Sequence, residues 1–264
     1  MAQPTVTVIT SSIGRPELAQ AVRSVLAQDY PCRHHVYING PRWQSDHTLE
    51  MIAGLKDNTT HRNHFFLLPE ETGDCGIGPG AGSVFASAPF LTNSDICFFL
   101  NDDDFWDPDH VSSLVALMTK HSLAWAYSLR RFVDLAGQPM VDDNWDSLGH
   151  HLADPGNEHI VDNSCYAIRT EVARKVGPHW LTPHCGDRVI FRALEAAKLP
   201  CGTTGRSTAN YRIGLGFLKG SKEQFLANDR HMRARFPRGF PWRREALWHT
   251  DAPQQDSPLL PSAP

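Results

Sequence analysis

The sequence predicts an α/β fold with a mostly parallel sheet and helices on both faces. A chain of 264 residues with 41% hydrophobic and 20% charged residues can bury the core of one large α/β domain. Short β-branched or apolar runs alternate with amphipathic runs through residues 5–121, and this alternation favours parallel strands joined by crossover helices.

The first half of the chain contains the clearest elements. The run "TVTVIT" is β-branched and predicts a strand, and Leu18, Val22 and Val25 recur at helical spacing after the turn "SSIGRP". Pro108 suits the first turn of a helix, where its missing N–H costs no hydrogen bond. Strands are predicted at 5–10, 35–40, 64–69 and 95–100, and helices at 16–28, 46–57, 83–90 and 108–121.

The second half is less regular. The stretches "AWAYSLRRFVD" (124–134) and "SCYAIRTEVARKVG" (164–177) each predict a strand that passes into a turn or a helix. Residues 187–199 predict a helix with Ile190 and Leu194 on one side. The last segment, 250–264, is rich in proline and small polar residues and is predicted to be a flexible tail.

Composition argues against several classes of protein. The net charge of -4 does not indicate a nucleic-acid binder. The six cysteines form no C-x-x-C pair, which argues against a zinc ribbon or a thioredoxin-like motif and predicts reduced thiols. We find no secretory signal and no apolar stretch long enough to span a bilayer, so the cytoplasm is the expected location.

The stretch "FFLNDDDFWDPDH" (98–110) places Asp102, Asp103 and Asp104 directly after an apolar strand. Neighbouring carboxylates raise each other's pKa and cost folding free energy, so a cation is expected beside them. Mg²⁺ or Mn²⁺ is the simplest candidate because hard cations prefer oxygen ligands. The alternative is a solvated turn whose acids stabilise the N-terminus of the next helix.

Other polar and aromatic residues have both a functional and a structural interpretation. The glycine-rich stretch 73–82 could approach a phosphate, although it lacks the spacing of known phosphate loops. Arg15, in the first loop between strand and helix, is expected near a diphosphate or in a surface salt bridge. Trp106 and Trp180 are candidates for stacking on a sugar or for packing in the core.

Three landmarks together resemble the family 2 glycosyltransferases of the GT-A fold. Residues 9–31, "ITSSIGRPELAQAVRSVLAQDYP", are similar to the opening strand, turn and helix of that family. Residues 98–109, "FFLNDDDFWDPD", resemble its acidic turn and the proline that follows. Residues 185–197, "CGDRVIFRALEAA", resemble the helix that begins with an acidic pair.

The resemblance implies an inverting enzyme that moves a sugar from a nucleotide diphosphate donor, with UDP expected, to a hydroxyl acceptor. It implies one GT-A domain over residues 1–249, with a nucleotide-sugar half of about 1–110 and a smaller acceptor half of about 111–249. It further implies Mn²⁺ or Mg²⁺ held by Asp103 and Asp104, and Asp187 as the general base. The implied donor-binding residues are Thr10, Ser11, Ser12, Arg15, Asn39, Gly80, Asn101 and Asp102, and the implied acceptor-binding residues are Trp106, Asn163 and Trp180.

The sequence departs from the family pattern at four positions. Asn101 replaces the first acid of the acidic turn, and Gly186 replaces the first acid of the later acidic pair. Asn39 stands where the family has an aspartate that binds the nucleobase. Gly214 stands where many relatives have a histidine, so a third protein ligand to the metal is not assigned.

Some alternatives stay open from the sequence. Asp187 could be an ordinary N-cap of its helix, and the chain could be a nucleotidyltransferase or a non-catalytic module that binds a sugar or nucleotide. The segment 230–249 combines arginines with aromatic residues, which is typical of a surface that contacts phosphate or stacks on bases. It indicates an anionic acceptor, such as nucleic acid or a lipid-linked phosphate, or a tail that contacts a partner or a membrane.

Overall fold

The computed structural model describes residues 2–55, 63–72, 80–182, 186–214 and 222–250, within which ten strands and seven α-helices lie. The strands are β1 (Val6–Ser12), β2 (Arg33–Ile38), β3 (Asn63–Leu67), β4 (Ile96–Asn101), β5 (Phe105–Trp106), β6 (Trp125–Val133), β7 (Pro139–Asp142), β8 (Tyr166–Arg169), β9 (Cys201–Arg212) and β10 (Ala246–Trp248). The α-helices are α1 (Leu18–Leu26), α2 (Asp46–Leu55), α3 (Ala81–Ser87), α4 (His110–Lys120), α5 (Thr170–Val176), α6 (Gly186–Ala196) and α7 (Lys222–Arg235).

One sheet connects these strands in the order β10-β9-β6-β8-β4-β1-β2-β3. The strands β3, β2, β1 and β4 are parallel, as the alternating first half of the sequence predicts. Ser12 pairs with Ile38, and Ser11 pairs with Asn101, so β1, β2 and β4 all end at the same edge. In an open α/β sheet, this edge is where ligands bind.

The second half adds a mixed region to the sheet. β8 lies antiparallel between β4 and β6, whereas β6 and β9 are parallel to each other. β5, which follows the three aspartates, pairs with the end of β9, with Phe105 opposite Asn210. This pairing brings a segment about 100 residues later in the chain against the acidic turn.

The core explains why the predicted elements form. Val8, Ile9, Phe98 and Phe99 are completely buried in adjacent central strands, where apolar surface is removed from water on both faces of the sheet. Leu18 packs in a separate cluster that covers the side of β2. The predicted helix at 46–57 ends at Leu55 among the described residues, and the predicted helices at 108–121 and 187–199 are each shorter by two or three residues.

The basic and aromatic segment near the C-terminus packs against the rest of the chain. Trp242 is only 1% exposed, stacks on Phe240, and donates a hydrogen bond from Nε1 to Oδ1 of Asn144 at 3.0 Å. Arg243 donates to the same Asn144 oxygen at 2.8 and 2.9 Å. The interpretation of these aromatic residues as a base-stacking surface is therefore not supported, because the indole is in the core.

Several sequence predictions concern segments that the structure does not describe. Cys75, Cys185, most of the glycine-rich stretch 73–82 and all of the predicted tail except residue 250 lie outside the described residues. The described cysteines, Cys32, Cys97, Cys165 and Cys201, are all buried. Within the described ranges, no helix combines the length and the apolar character that crossing a membrane requires.

Candidate active site

The acidic turn begins where β4 ends at the ligand-binding edge of the sheet. Asp102 is buried, and its Oδ2 accepts hydrogen bonds from Ser12 Oγ at 2.8 Å and from the backbone N–H of Ile13 at 3.1 Å. Burial, reinforced by the charge of Asp103, raises the pKa of Asp102 to about 6. Both contacts use the same carboxylate oxygen, Oδ2.

Asp104 is buried and stabilises the acidic turn through hydrogen bonds. Its Oδ1 accepts from the backbone N–H of Arg212 at 3.0 Å, and its Oδ2 accepts from Asn101 Nδ2 and Ser164 Oγ, both at 3.1 Å. Burial and the charges of Asp103 and Asp162 raise the pKa of Asp104 well above its ordinary value. Because both oxygens already have protein partners, the structure does not support the predicted role of Asp104 as a metal ligand.

Asp103 is the most accessible of the three aspartates, with 16% of its side chain exposed. It forms an ion pair with Arg15, whose side chain comes from the loop after β1. Burial raises the pKa of Asp103, and the positive charge of Arg15 opposes that shift. The partly accessible carboxylate of Asp103 and the neighbouring carboxylate of Asp102 are the type of oxygen ligand that a hard divalent cation prefers.

The asparagine that replaces an acid in the turn is held by a second amide. Asn101 donates to Asn163 Oδ1 at 3.1 Å, and Asn163 donates back to Asn101 Oδ1 at 2.6 Å. Asn163, predicted to contact an acceptor, is instead buried and used in this reciprocal pair. It lies in a short 3-10 turn, Asn163–Cys165, whose N-cap is Asp162.

Arg130 lies in β6 and is surrounded by carboxylates. It donates to Asp143 at 2.8 Å, to Asp162 at 2.7 Å and to Asp146 at 3.0 Å. Burial disfavours its charge, yet these three aspartates raise the pKa of Arg130 well above its ordinary value. The guanidinium is therefore a fixed positive charge in the interior.

Asp187 lies in the first turn of α6, within the electrostatic influence of this cluster. The carboxylate is half-buried. Burial and the charge of Asp162 raise its pKa to about 7, although Arg130 and Arg188 act in the opposite direction. A carboxylate with a pKa near neutrality is suited to accept a proton, which is the property that a general base needs.

The predicted nucleotide side of the site is formed by the ends of β1 and β2. Asn39 follows β2 and is 0% exposed; its Oδ1 accepts from the backbone N–H and the hydroxyl of Thr72 at 2.8 and 2.7 Å. Its Nδ2 is buried and has no hydrogen-bond partner among the described residues. Thr72 also contacts the backbone of Gly80 at 3.2 and 3.4 Å, so the amide lies beside the start of α3.

Other predicted donor residues differ in how the structure uses them. Thr10 is completely buried and hydrogen-bonds His34 Nε2 at 2.9 Å, which does not support a contact with a donor. Ser11 lies in β1 opposite Asn101 and is also buried. Ser12 supports Asp102 and accepts from the backbone N–H of Gly14 at 2.9 Å.

The two tryptophans predicted to stack on an acceptor are core residues. Trp106 is 3% exposed, stacks on His110 with ring centroids 4.2 Å apart, and donates from Nε1 to the carbonyl of Ser164 at 2.8 Å. Trp180 is 6% exposed and packs against Phe85 and Phe99. Neither ring offers an open face, so the stacking prediction is not supported for these residues.

A cavity of about 450 Å³ lies beside the Arg130 cluster. The charged residues of its wall are four aspartates and two arginines, and its aromatic residues come from β6, from α7 and from the loop after β7. These residues are Asp142, Asp143, Asp146, Asp229, Arg130, Arg188, Phe132, Trp145 and Phe225. Arg188, which follows the candidate base Asp187 in the first turn of α6, lines this cavity, whereas Asp187 is not among its lining residues.

Three residues that hold the site together were not predicted from the sequence. Arg212 contributes its backbone N–H to Asp104, and its Nε donates to the carbonyl of Asp103 at 3.0 Å. Ser164 supports Asp104, and Arg130 organises the acidic cluster. The one available signal for Arg130 was a charged pair, "RR", inside the otherwise apolar run "AWAYSLRRFVD".

The sheet order, with the acidic turn at the edge where β1, β2 and β4 end, is that of a GT-A fold. The family model "Glycosyl transferase family 2" matches residues 7–177, a span that includes β1 and the acidic turn, and the chain belongs to this family. An uncharacterized protein of Haemophilus influenzae is 34% identical over 93 residues, which are 35% of this chain and 59% of that protein.

Solved structures share the fold at low identity. S. aureus TarS superposes with a TM-score of 0.58 at 12% identity, covering 88% of this chain and 39% of TarS. TarS 1–349 in complex with UDP gives the same TM-score and identity, with 65% of that chain covered. The mannosyltransferase PcManGT from Pyrobaculum calidifontis, in complex with GDP-Man and Mn²⁺, gives 0.53 at 13% identity, covering 88% of this chain and 65% of that one. This chain thus spans less than two thirds of these relatives.

The raised pKa of Asp187 predicts a specific pH dependence of stability. The folded-state pKa of about 7 exceeds the ordinary value of 3.8, so between these values the folded state retains a proton that the unfolded state releases. Stability contributed by this group is present at low pH and is lost as the pH rises toward about 7. We expect Asp187→Asn, which does not titrate, to be more stable than the wild type, with a larger gain at about pH 8 than at about pH 5.

Urea unfolding of both proteins at the two pH values measures this difference. Glu171→Gln removes an exposed carboxylate of α5 and is the control, for which we expect little change. A loss of stability in Asp187→Asn at both pH values would show that the carboxylate is a structural cap.

Proposed function

We propose that this protein is an inverting, metal-dependent glycosyltransferase that transfers a sugar from a nucleotide diphosphate donor to a hydroxyl acceptor. The observation that carries the proposal is the half-buried Asp187, whose pKa is raised to about 7, in the same turn of α6 that supplies Arg188 to the wall of the cavity. The names of the structural neighbours support a nucleotide-sugar donor, since they mention UDP, UDP-GlcNAc and GDP-Man.

In the proposed reaction, Asp187 accepts the proton of the acceptor hydroxyl. The hydroxyl oxygen forms a bond to the anomeric carbon of the donor sugar from the face opposite the diphosphate. The bond between that carbon and the phosphate oxygen breaks, and its electron pair leaves with the nucleoside diphosphate. The configuration at the anomeric carbon is therefore inverted, and the proton remains on Asp187 until it exchanges with solvent.

Asp103 and Asp102 would hold the divalent cation, Mn²⁺ or Mg²⁺. When bound, such a cation supplies charge neutralisation to the leaving diphosphate. Arg15 forms an ion pair with Asp103 and lies at the same edge of the sheet, so its guanidinium can also contact a diphosphate. Asp104 fixes the conformation of the turn through Arg212 and Ser164.

Asn39 would contact the nucleobase through its unpartnered Nδ2. A buried amide N–H without a partner carries a free-energy cost of about 1–3 kcal/mol, which a carbonyl oxygen of a bound base would remove. Uracil presents two such carbonyl oxygens, and a uridine diphosphate sugar is accordingly the donor that we favour. Guanine also presents one carbonyl oxygen, so GDP is the comparison ligand.

The cavity beside the Arg130 cluster would receive the acceptor. Its wall carries four aspartates and two arginines, and Arg130 is already paired with two of those aspartates, Asp143 and Asp146. This balance repels an anionic acceptor and favours a neutral or cationic molecule rich in hydroxyl groups. The arginines of the C-terminal segment give little support to an anionic acceptor, since Arg233 pairs with Asp229 and Arg235 with Asp154.

Loss of the base should slow transfer without weakening donor binding. We expect Asp187→Asn to lower kcat by roughly 10² to 10⁴, because asparagine has a similar shape but cannot accept the proton. In the wild type, the rate should fall as the pH drops below about 7, where Asp187 becomes protonated. Steady-state transfer assays across pH, with donor affinity measured separately, test both statements. Unchanged kcat in the variant would remove Asp187 from the mechanism.

The metal and donor assignments can be tested together by thermal shift. A ligand that binds the folded state raises its stability, and a tighter ligand raises it more. We therefore expect Mn²⁺ to increase the stabilisation given by UDP, and we expect a smaller increase with GDP. Asp103→Asn should abolish the Mn²⁺-dependent part and leave the melting temperature without ligands nearly unchanged. Asp109→Asn, which changes a half-buried carboxylate at the N-cap of α4 that pairs with Arg206, is the control. Equal Mn²⁺ effects in the wild type and Asp103→Asn would contradict the assignment.

The acceptor proposal predicts discrimination by charge. For matched monosaccharide acceptors, we expect kcat/KM to be at least about tenfold lower for a phosphorylated sugar than for the neutral sugar, since like charges repel in the cavity. The double variant Asp142→Asn and Asp229→Asn should reduce that ratio, whereas Glu171→Gln, on the exposed side of α5, should not. A preference for the phosphorylated acceptor in the wild type would contradict this charge argument.

A further inference from the structure

A second cluster of ligating side chains lies away from the acidic turn. Cys201 is the first residue of β9, His249 directly follows β10, and His150 lies in the loop between β7 and β8. Cys201 Sγ and one ring nitrogen of each histidine all lie within 4.8 Å of one another. Three elements that are distant in sequence therefore direct ligating atoms toward one point.

Glu195, from the last part of α6, adds a carboxylate to this cluster. Its Oε1 is 2.9 Å from His249 Nε2, and its Oε2 contacts His150 Nε2. The Oε2 atom is buried and makes no hydrogen bond of acceptable geometry, although it touches that nitrogen. Lys198 Nζ, on an exposed side chain, is 3.5 Å from Oε1.

The surroundings fix the direction of the histidine ring. His150 stacks on Trp248 with ring centroids 4.1 Å apart and an interplanar angle of 12°, and it meets Phe191 edge-on at 5.2 Å. Its Nε2 consequently faces Cys201, with 3.9 Å between Nε2 and Sγ. Cys201 is completely buried, whereas His249 and Glu195 keep part of their side chains exposed, which leaves a path for an ion.

The dimensions are close to those of a tetrahedral zinc site. With Zn–S near 2.3 Å and Zn–N near 2.0 Å, ligand atoms are separated by roughly 3.5 Å. The separation of 3.9 Å between His150 Nε2 and Cys201 Sγ already approaches this value, and the largest separation among the three atoms requires a contraction of about 1 Å. Rotation of the partly exposed His249 ring can supply it.

We propose that His150, Cys201, His249 and Glu195 form a structural zinc site. Zn²⁺ would replace the direct contacts between the histidines and the carboxylate, and the thiol of Cys201 would release its proton to solvent on binding. The thiolate and the carboxylate together neutralise the two positive charges of the ion, so the buried site carries no net charge. Burial raises the pKa of the Cys201 thiol, so the proton is released only when the ion is bound.

This site would tie the end of the described chain to α6. β10 pairs with β9 through only three residues, and His249 comes immediately after it. Binding by His249 and Glu195 would add a cross-link between that short edge strand and the helix. The site would also be independent of the proposed Mn²⁺ site, since Cys201 is the first residue of β9 and Arg212, which contacts Asp104, is the last.

The test uses the full-length protein, stripped with a chelator and then titrated with Zn²⁺. We expect about one zinc ion per chain by elemental analysis and a rise in melting temperature of about 5 °C at a hundredfold excess over the Kd. Co²⁺ should give a thiolate charge-transfer absorption, which reports on Cys201 directly. Absence of bound zinc and of any thermal shift in the wild type would overturn the proposal.

Variants separate this site from other zinc-binding positions. Cys201→Ser and His249→Gln should each lose the bound zinc, and Glu195→Gln should weaken binding at least about tenfold. His249→Gln changes a partly exposed side chain, so it is expected to remain folded without metal, which circular dichroism can verify. Cys97→Ser and Asp103→Asn should keep full zinc binding, and the latter shows that the ion is not at the acidic turn. Retained zinc in both Cys201→Ser and His249→Gln would contradict the assignment.

Discussion

The buried guanidinium of Arg130 is the interaction on which the candidate active site depends. Its ion pair with Asp162 orients the carboxylate that caps the turn Asn163–Cys165, where Asp162 accepts from Ser164 N–H at 2.9 Å. That turn supplies Asn163 to Asn101 and Ser164 to Asp104. The shape of the acidic turn is thus set by a cation two strands away in the sheet, and removing one partner of such a buried network leaves uncompensated charges.

Burial is also what makes these carboxylates chemically useful. It raises the pKa of Asp102 to about 6 and that of Asp187 to about 7, in each case reinforced by a neighbouring aspartate. Both groups therefore carry a folding cost when ionised, and a nearby cation or a transferred proton relieves part of it. Under the proposed roles, stability and function are opposed at these positions, because an uncharged substitute would fold more easily but could neither bind a cation nor accept a proton.

Local patterns predicted the first half of the fold, whereas tertiary contacts decided the rest. The strand, loop and helix at the start of the chain follow from the sequence pattern, since the β-branched run is typical of a strand and the apolar residues after the turn recur at helical spacing. β9, "CGTTGRSTANYR", was not predicted, because its sequence contains many polar residues that are buried in the fold. Their hydrogen-bond partners are distant in sequence: Thr208 Oγ1, for example, lies 2.8 Å from Nδ1 of His110. Distant partners also decided the roles of Asp104 and Trp106, whose residue types are suited to a ligand site. In the structure, Asp104 accepts a hydrogen bond from the backbone N–H of Arg212, and Trp106 donates one to the carbonyl of Ser164.

Two elements, α6 and β9, run from the candidate active site to the cluster of His150, Cys201 and His249. The helix α6 carries Asp187 in its first turn and Glu195 eight residues later, a separation of about 12 Å along the axis at 1.5 Å per residue. β9 likewise begins at Cys201 and ends at Arg212, which holds Asp104. Any constraint on the far ends of α6 and β9 therefore limits movement of the candidate base relative to the acidic turn. Since a general base must stay within hydrogen-bond reach of its substrate, fixing these two elements against each other maintains the geometry that proton transfer requires.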